Sequence, residues 1–241
     1  MEAEGSLAEA ISRSYRAFAD IPCPTRLECA PGRDGAKILR DLTSAALREV
    51  PGDAIGPYSG SAMTTVGDEL VYRYFLPRIL ELAAAGGVHL GLDPPVIASK
   101  MKMAAWRDWP EEQSAATISV FRAALRASLA PERTASETSM WLCGLATLNV
   151  DIGAELLYWR ESTSVAAAMQ LAHFVSFDDM GDDDDSPSFW SDVDATARTV
   201  VANWRNSSST RAQIEAAMPR VDANDAWMLE TALKTIRKRN N

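Results

Sequence analysis

The sequence predicts an all-α fold, an irregular array of antiparallel helical hairpins of HEAT-like or orthogonal-bundle type. Three observations carry that expectation. Apolar residues recur at three- and four-residue spacing nearly throughout. Sustained period-two alternation, the mark of a half-buried strand, is absent. Stop and start signals separate the periodic segments by short connections, so sequential helices should pack as αα-hairpins. The chain has 241 residues, 47% of them hydrophobic, which suffices for a sizeable core. No fixed repeat period is legible.

Element by element, Ser6 and Glu9 form a capping-box pattern, and Leu7, Ala10, Ile11, Tyr15 and Phe18 follow on one helical face. That helix should stop by Ile21, ahead of Pro22 and Pro24. Residues 21–35 read as a loop. A second helix is expected over 35–49, with Ile38, Leu42 and Ala45 on one side. The Gly/Pro/Ser-rich stretch 51–65 reads as a linker or a long surface loop. Segment 66–85 is helical in pattern but interrupted by Pro77, predicting a stop at Leu76 and a fresh helix with Pro77 at its first position. Further helices are expected over 94–109, from Pro110 with Ile118, Phe121, Leu125 and Leu129 on one face, and over 136–148, 151–161, 164–177, 191–206, 210–218 and 224–239. The expected division is an N-terminal helical hairpin with its loops (1–65) and a main helical domain (66–241), the whole forming one continuous unit.

The net charge of −9 is concentrated. From Glu161 to Ala197 there is no Lys or Arg, and nine acids fall in that window: Glu161, Asp178, Asp179, Asp182, Asp183, Asp184, Asp185, Asp192 and Asp194. The remaining 24 acids match the 24 bases, so the whole excess belongs to one segment. No basic stripe is present for phosphate neutralisation, which argues against a nucleic-acid partner. No apolar run is long enough to cross a bilayer, and no signal-peptide pattern opens the chain, so a cytoplasmic protein without a membrane partner is expected. Three scattered cysteines and two histidines offer neither a disulfide framework nor a zinc pattern, so no metal and no cofactor are expected.

The run Tyr72-Arg73-Tyr74-Phe75-Leu76-Pro77-Arg78-Ile79-Leu80-Glu81-Leu82, with Trp106, Trp109 and Pro110-Glu111-Glu112, resembles a group of uncharacterised bacterial helical proteins sharing a YFLPRILEL…W..WPEE pattern. The likeness runs from about Asp68 onward. It implies a helical cytosolic bacterial protein and carries no activity with it.

Three constellations stand out, each with a plainer reading beside it. If Pro77 breaks the helix, Tyr72, Arg73, Tyr74 and Arg78 flank unpaired backbone groups and could meet a partner; alternatively the apolar members are core and Arg78 pairs locally with Glu81. Trp106 and Trp109 form either an aromatic platform for a partner or a core corner. The acidic loop Asp178, Asp179, Asp182, Asp183, Asp184 and Asp185 departs from EF-hand spacing and reads as a solvated connection or an electrostatic lure. No nucleophile elbow, P-loop, dinucleotide fingerprint or zincin motif is present, so no catalytic residue is assigned. The sequence thus predicts a protein-interaction or scaffold domain with an unknown, basic partner. An immunity-type protein that neutralises a basic toxin is one alternative, and a hydrolase using carboxylates with His89 or His173 is another.

Overall fold

Ser6 caps the first helix, α1 (Leu7–Ala17). Its hydroxyl accepts from the Glu9 N–H, and the Glu9 carboxylate accepts from the Ser6 N–H, the reciprocal box that the sequence predicts. The computed structural model describes residues 6–86, 91–134, 136–180 and 188–240. Among them the chain is all-helical. After α1 come α2 (Gly35–Leu42), α3 (Gly52–Ser61), α4 (Glu69–Ala85), α5 (Pro94–Met103), α6 (Glu111–Ala127), α7 (Glu137–Thr147), α8 (Gly153–Glu161), α9 (Val165–Phe177), α10 (Ala195–Arg205), α11 (Ser208–Ala217) and α12 (Ala226–Arg239). Extended pairing among the described residues is limited to isolated bridges, where Val66 meets Cys29 and Ala62. No described helix is long and apolar enough to cross a membrane.

Two compact units divide within α6, residues 1–124 and 125–241. In the first, α4 packs against α1 and α3, and α3 packs against α2 and α5. In the second, α9 packs along α12, α11 and α7.

Two prolines behave differently from expectation. The stretch read as a linker or loop contains α3, which continues through Pro57. Ile55, Tyr58 and Ser59 are buried at helical spacing on it, as is Ala62 just past its end. Its glycines, which look like loop residues, are where backbones meet. A Cβ on Gly91 (φ +85°) would lie 2.4 Å from the Gly56 carbonyl oxygen and 2.7 Å from the Gly60 nitrogen. Likewise α4 is one helix through Pro77, not two. Pro77 has no N–H to offer the Arg73 carbonyl, a local cost of up to about 3 kcal/mol. Val71, Tyr72, Phe75, Leu76, Pro77, Ile79 and Leu80 are all buried, and packing on so much of its surface outweighs the lost bond.

Three smaller shifts follow from tight turns. Helix α2 ends at Leu42, and a short 3₁₀ turn covers Leu47–Glu49. Helix α5 ends at Met103, short of the expected Trp109, because Ala105 adopts a left-handed conformation (φ 47°). On α6, Phe121, Leu125 and the following Leu129 are buried as expected, whereas Ile118 is half-buried and Val120 and Ala124 complete the inner face.

The core of the first unit gives the protein an alkaline limit. Tyr58 and Tyr72 are 2% and 0% exposed. Burial pushes both phenols far above their usual range, and the neighbouring Tyr72 and Asp68 add to the effect at Tyr58. A raised folded pKa leaves the stabilising contribution intact below the unfolded value of about 10 and removes it as pH climbs beyond. Stability should therefore fall above pH ~10 by roughly 1.4 kcal/mol per pH unit for each buried phenol. Urea unfolding measured at stepped alkaline pH checks this, and the slope should diminish in Tyr58→Phe and Tyr72→Phe.

Candidate functional site

The segment from Tyr72 to Arg78 is built into the first unit rather than displayed on it. The fully buried Tyr72 donates its hydroxyl proton to the Ile97 carbonyl at 3.2 Å. Arg73 donates to Gln113 Oε1 through two nitrogens (3.2 and 2.7 Å) and to Glu69 at 3.1 Å, with its guanidinium 5.5 Å from the Trp109 ring. Arg78 donates to the Val50 carbonyl at 3.0 Å and to Glu81 at 2.6 Å. The same Glu81 oxygen accepts the Tyr15 hydroxyl at 2.6 Å. Tyr74 sets its ring edge-on to Phe75, and burial, with the Cys23 thiol as a further cause, pushes its phenol up to about 12.

Trp106 and Trp109 are 7% and 5% exposed. Trp109 donates its indole N–H to the Ala104 carbonyl at 2.9 Å and meets Phe18 edge-on. Of the six residues expected to face a partner, Tyr72, Trp106 and Trp109 are therefore interior, and Arg73 and Arg78 are largely buried and already engaged. For the α4 residues the reason is the unbroken helix: with no turn opened at Pro77, only the Arg73 carbonyl loses its helical partner there.

The second unit places the acidic segment differently. Residues 181–187, including Asp182, Asp183, Asp184 and Asp185, lie outside the described residues. The two ends of the segment are described, and both are anchored. Arg205 is 1% exposed and donates to the Asp178 carbonyl at 2.9 Å and the Phe174 carbonyl at 3.5 Å, with its guanidinium over the Phe174 ring. The Ser188 hydroxyl donates to the Asp179 carbonyl at 2.5 Å. Met180 and Trp190 are buried on either side of residues 181–187, and Trp190 lies against Phe174. The chain thus enters and leaves this acidic stretch at one place on the second unit.

Two large aromatic side chains stand beside that place. Phe177 ends α9 and Trp227 opens α12, and they are 52% and 53% exposed with ring centroids 6.3 Å apart. His173, one turn before Phe177, stacks against it at a tilt, and its Nδ1 lies 3.6 Å from Asp178 Oδ1. The arrangement is an open aromatic pair with His173 against Phe177 and the Asp178 carboxylate next to that histidine. Chemically it can cover an apolar group while attracting a cation. Among the described residues no three His, Cys, Asp or Glu side chains converge as a metal-binding group. Two described cavities, of about 260 Å³ around Arg33, Lys37, Asp41 and Asp53 and about 390 Å³ around Ser207, Arg211 and Arg237, are lined by no histidine. His89 lies outside the described residues.

Sequence reasoning missed Phe177 and Trp227, although a signal for Trp227 existed. Leu229, Ala232, Leu233 and Ile236 define the buried face of α12, and Trp227 lies nearly opposite it on the helical wheel. Comparison with protein-family models, with curated proteins and with solved structures returns no match.

Proposed function

We propose that this chain is a protein-interaction domain whose second unit binds a basic protein, with Phe177 and Trp227 as the apolar anchor and the acidic segment as the attracting field. The exposed aromatic pair carries this reading. Covering a large apolar side chain is favourable by about 1.5–3 kcal/mol, and aromatic residues dominate the affinity of interfaces. The charge layout selects the partner's sign, because the window from 161 to 197 holds nine acids and no base. Attraction of that kind raises association rates and weakens as salt screens it beyond about 8 Å. A basic toxin neutralised by this surface is the narrower form of the same reading, favoured by the same charge.

The test is affinity capture from the cell of origin with three baits. These are the wild type, Phe177→Ser with Trp227→Ser, and a variant carrying Ser at Asp178, Asp179 and Asp182–Asp185. A basic protein retained by the wild type should bind the aromatic variant at least tenfold more weakly, mainly through faster dissociation, since the loss of one anchor is worth about 2 kcal/mol. It should bind the acidic-segment variant more slowly, with the difference shrinking as salt rises. Retention that is the same for all three baits would end the proposal.

A further inference from the structure

Several aromatic faces of this chain are covered by its own arginines. The Arg126 guanidinium lies 5.0 Å from the ring of Tyr158, an exposed side chain, and Arg48 lies 3.6 Å from that of Tyr15. On α9 the pattern changes within one turn. Arg205 sits 5.3 Å from the Phe174 ring. Phe177, three residues on, has no Lys or Arg over its ring among the described residues, and neither has its neighbour Trp227. Both rings are about half exposed, and α9 with the acidic segment after it supplies no base to cover them.

A carboxylate beside the pair is also left without a donor. Asp178 follows Phe177 directly, and its side chain is 16% exposed. Its backbone carbonyl accepts from Arg205, but its carboxylate accepts no hydrogen bond among the described residues. His173 Nδ1, at 3.6 Å, lies beyond hydrogen-bond reach. That imidazole also meets the Phe177 ring, with centroids 5.3 Å apart, so one histidine adjoins both the ring and the carboxylate. A largely buried carboxylate ordinarily has donors, because leaving it without them is costly.

Uncovered ring faces next to a carboxylate that lacks donors are complementary to one chemical group. A guanidinium is flat and weakly hydrated, stacks on aromatic faces and offers a carboxylate a fork of N–H donors. An ammonium is a strongly hydrated point charge and stacks less well. An apolar side chain would cover the rings and leave Asp178 as it is. We propose that Phe177 and Trp227, with the Asp178 carboxylate, form a receptor for an arginine side chain of the partner protein. The inference rests on the interaction surface proposed above and names the group that this surface takes. The guanidinium lies against the rings and donates to Asp178.

The chain has seven tryptophans, so ¹⁵N labelling of the indoles gives few enough resonances to follow each one. The full chain is titrated with three octapeptide amides in which glycine alternates with arginine, with lysine or with citrulline, the neutral analogue of arginine. The Trp227 resonance, assigned by its loss in Trp227→Phe, should move saturably with the arginine peptide. The lysine peptide should bind about fivefold more weakly, the size of one exposed cation–π contact, and the citrulline peptide should not saturate. Phe177→Leu keeps an apolar side chain without a π face, so it should bind the arginine and lysine peptides with one affinity. Asp178→Asn should weaken the arginine peptide about tenfold, the weight of one hydrogen bond to a charged group. Equal affinity of the wild type for the arginine and lysine peptides, both moving Trp227, would overturn the arginine receptor and leave the acidic interaction surface standing. Citrulline binding as tightly as arginine would overturn it in favour of an uncharged contact. No movement of Trp227 with any peptide would overturn the receptor and the interaction surface together. These three comparisons use the wild type, so they decide the question even if Phe177→Leu or Asp178→Asn fails to fold.

Discussion

Replacing Trp159 by alanine is expected to lower the free energy of unfolding by about 3–5 kcal/mol, the largest loss from any single side chain considered. Trp159 is 0% exposed and sits among aromatic rings from three other elements of the second unit. Its ring stacks on Phe174 at 5.9 Å and lies 5.5 Å from Trp204, while Phe174 in turn meets Trp190 at 5.7 Å. Its indole N–H donates to the Ala167 carbonyl at 3.0 Å, pinning α8 to the first turn of α9. Alanine removes the buried area, the ring contacts and the hydrogen bond together. The cavity left behind is bounded by rigid rings, which collapse poorly into empty space. Urea unfolding followed by circular dichroism measures the loss. A change below about 0.5 kcal/mol, the range of an ordinary surface substitution, would mean that these rings do not form the core described.

Arg205→Met should cost about 3 kcal/mol, and its effect should be local as well as global. A buried guanidinium is expensive to desolvate, so removing it is not destabilising in itself. What methionine cannot do is donate to the carbonyls of Asp178 and Phe174. Each hydrogen bond from a charged group is worth about 1.5–3 kcal/mol, and the bond to Phe174, at 3.5 Å, contributes at the low end. The bond to Asp178 fixes the point where the acidic segment leaves α9, beside Phe177. Hydrogen exchange at Asp179 and Met180 should therefore rise by more than the global loss of stability explains. If the proposed interaction surface is correct, the variant should also bind the basic partner more weakly at temperatures where it remains folded. Unchanged exchange at these two amides would show that Arg205 does not anchor the segment.

Much of this fold is legible in the chain. Helical periodicity, the Ser6–Glu9 box and the caps at Asp34, Asp68 and Ser164 are local, and each depends on residues within one turn of one another. The two prolines mark where local reading fails. Pro57 and Pro77 each remove one backbone bond, and by local rules alone each ends a helix. Whether the helix survives depends on the burial gained by its faces, which is set by α1, α3 and α5 arriving from elsewhere in the chain. The glycines of α3 fail for the same reason. Gly56 and Gly60 read as breakers, yet their missing side chains are what let Gly91 approach.

The candidate sites follow the same rule from the other side. Tyr72, Trp106 and Trp109 are as capable of binding a partner as Phe177 and Trp227, and nothing in residue type separates the two sets. Only the tertiary structure decides which rings are covered. Arg205, 1% exposed, is the sharpest case, since arginine is a residue that a sequence reader assigns to solvent. By itself the sequence determined the fold class, most of the helices and the placement of the net charge, because hydrogen bonding within a turn and formal charge are properties of neighbouring residues. The tertiary structure alone decided which prolines were tolerated, which aromatics stayed in water and which charge was buried. Burial is the property that decides all three, and it depends on what the rest of the chain brings to each position.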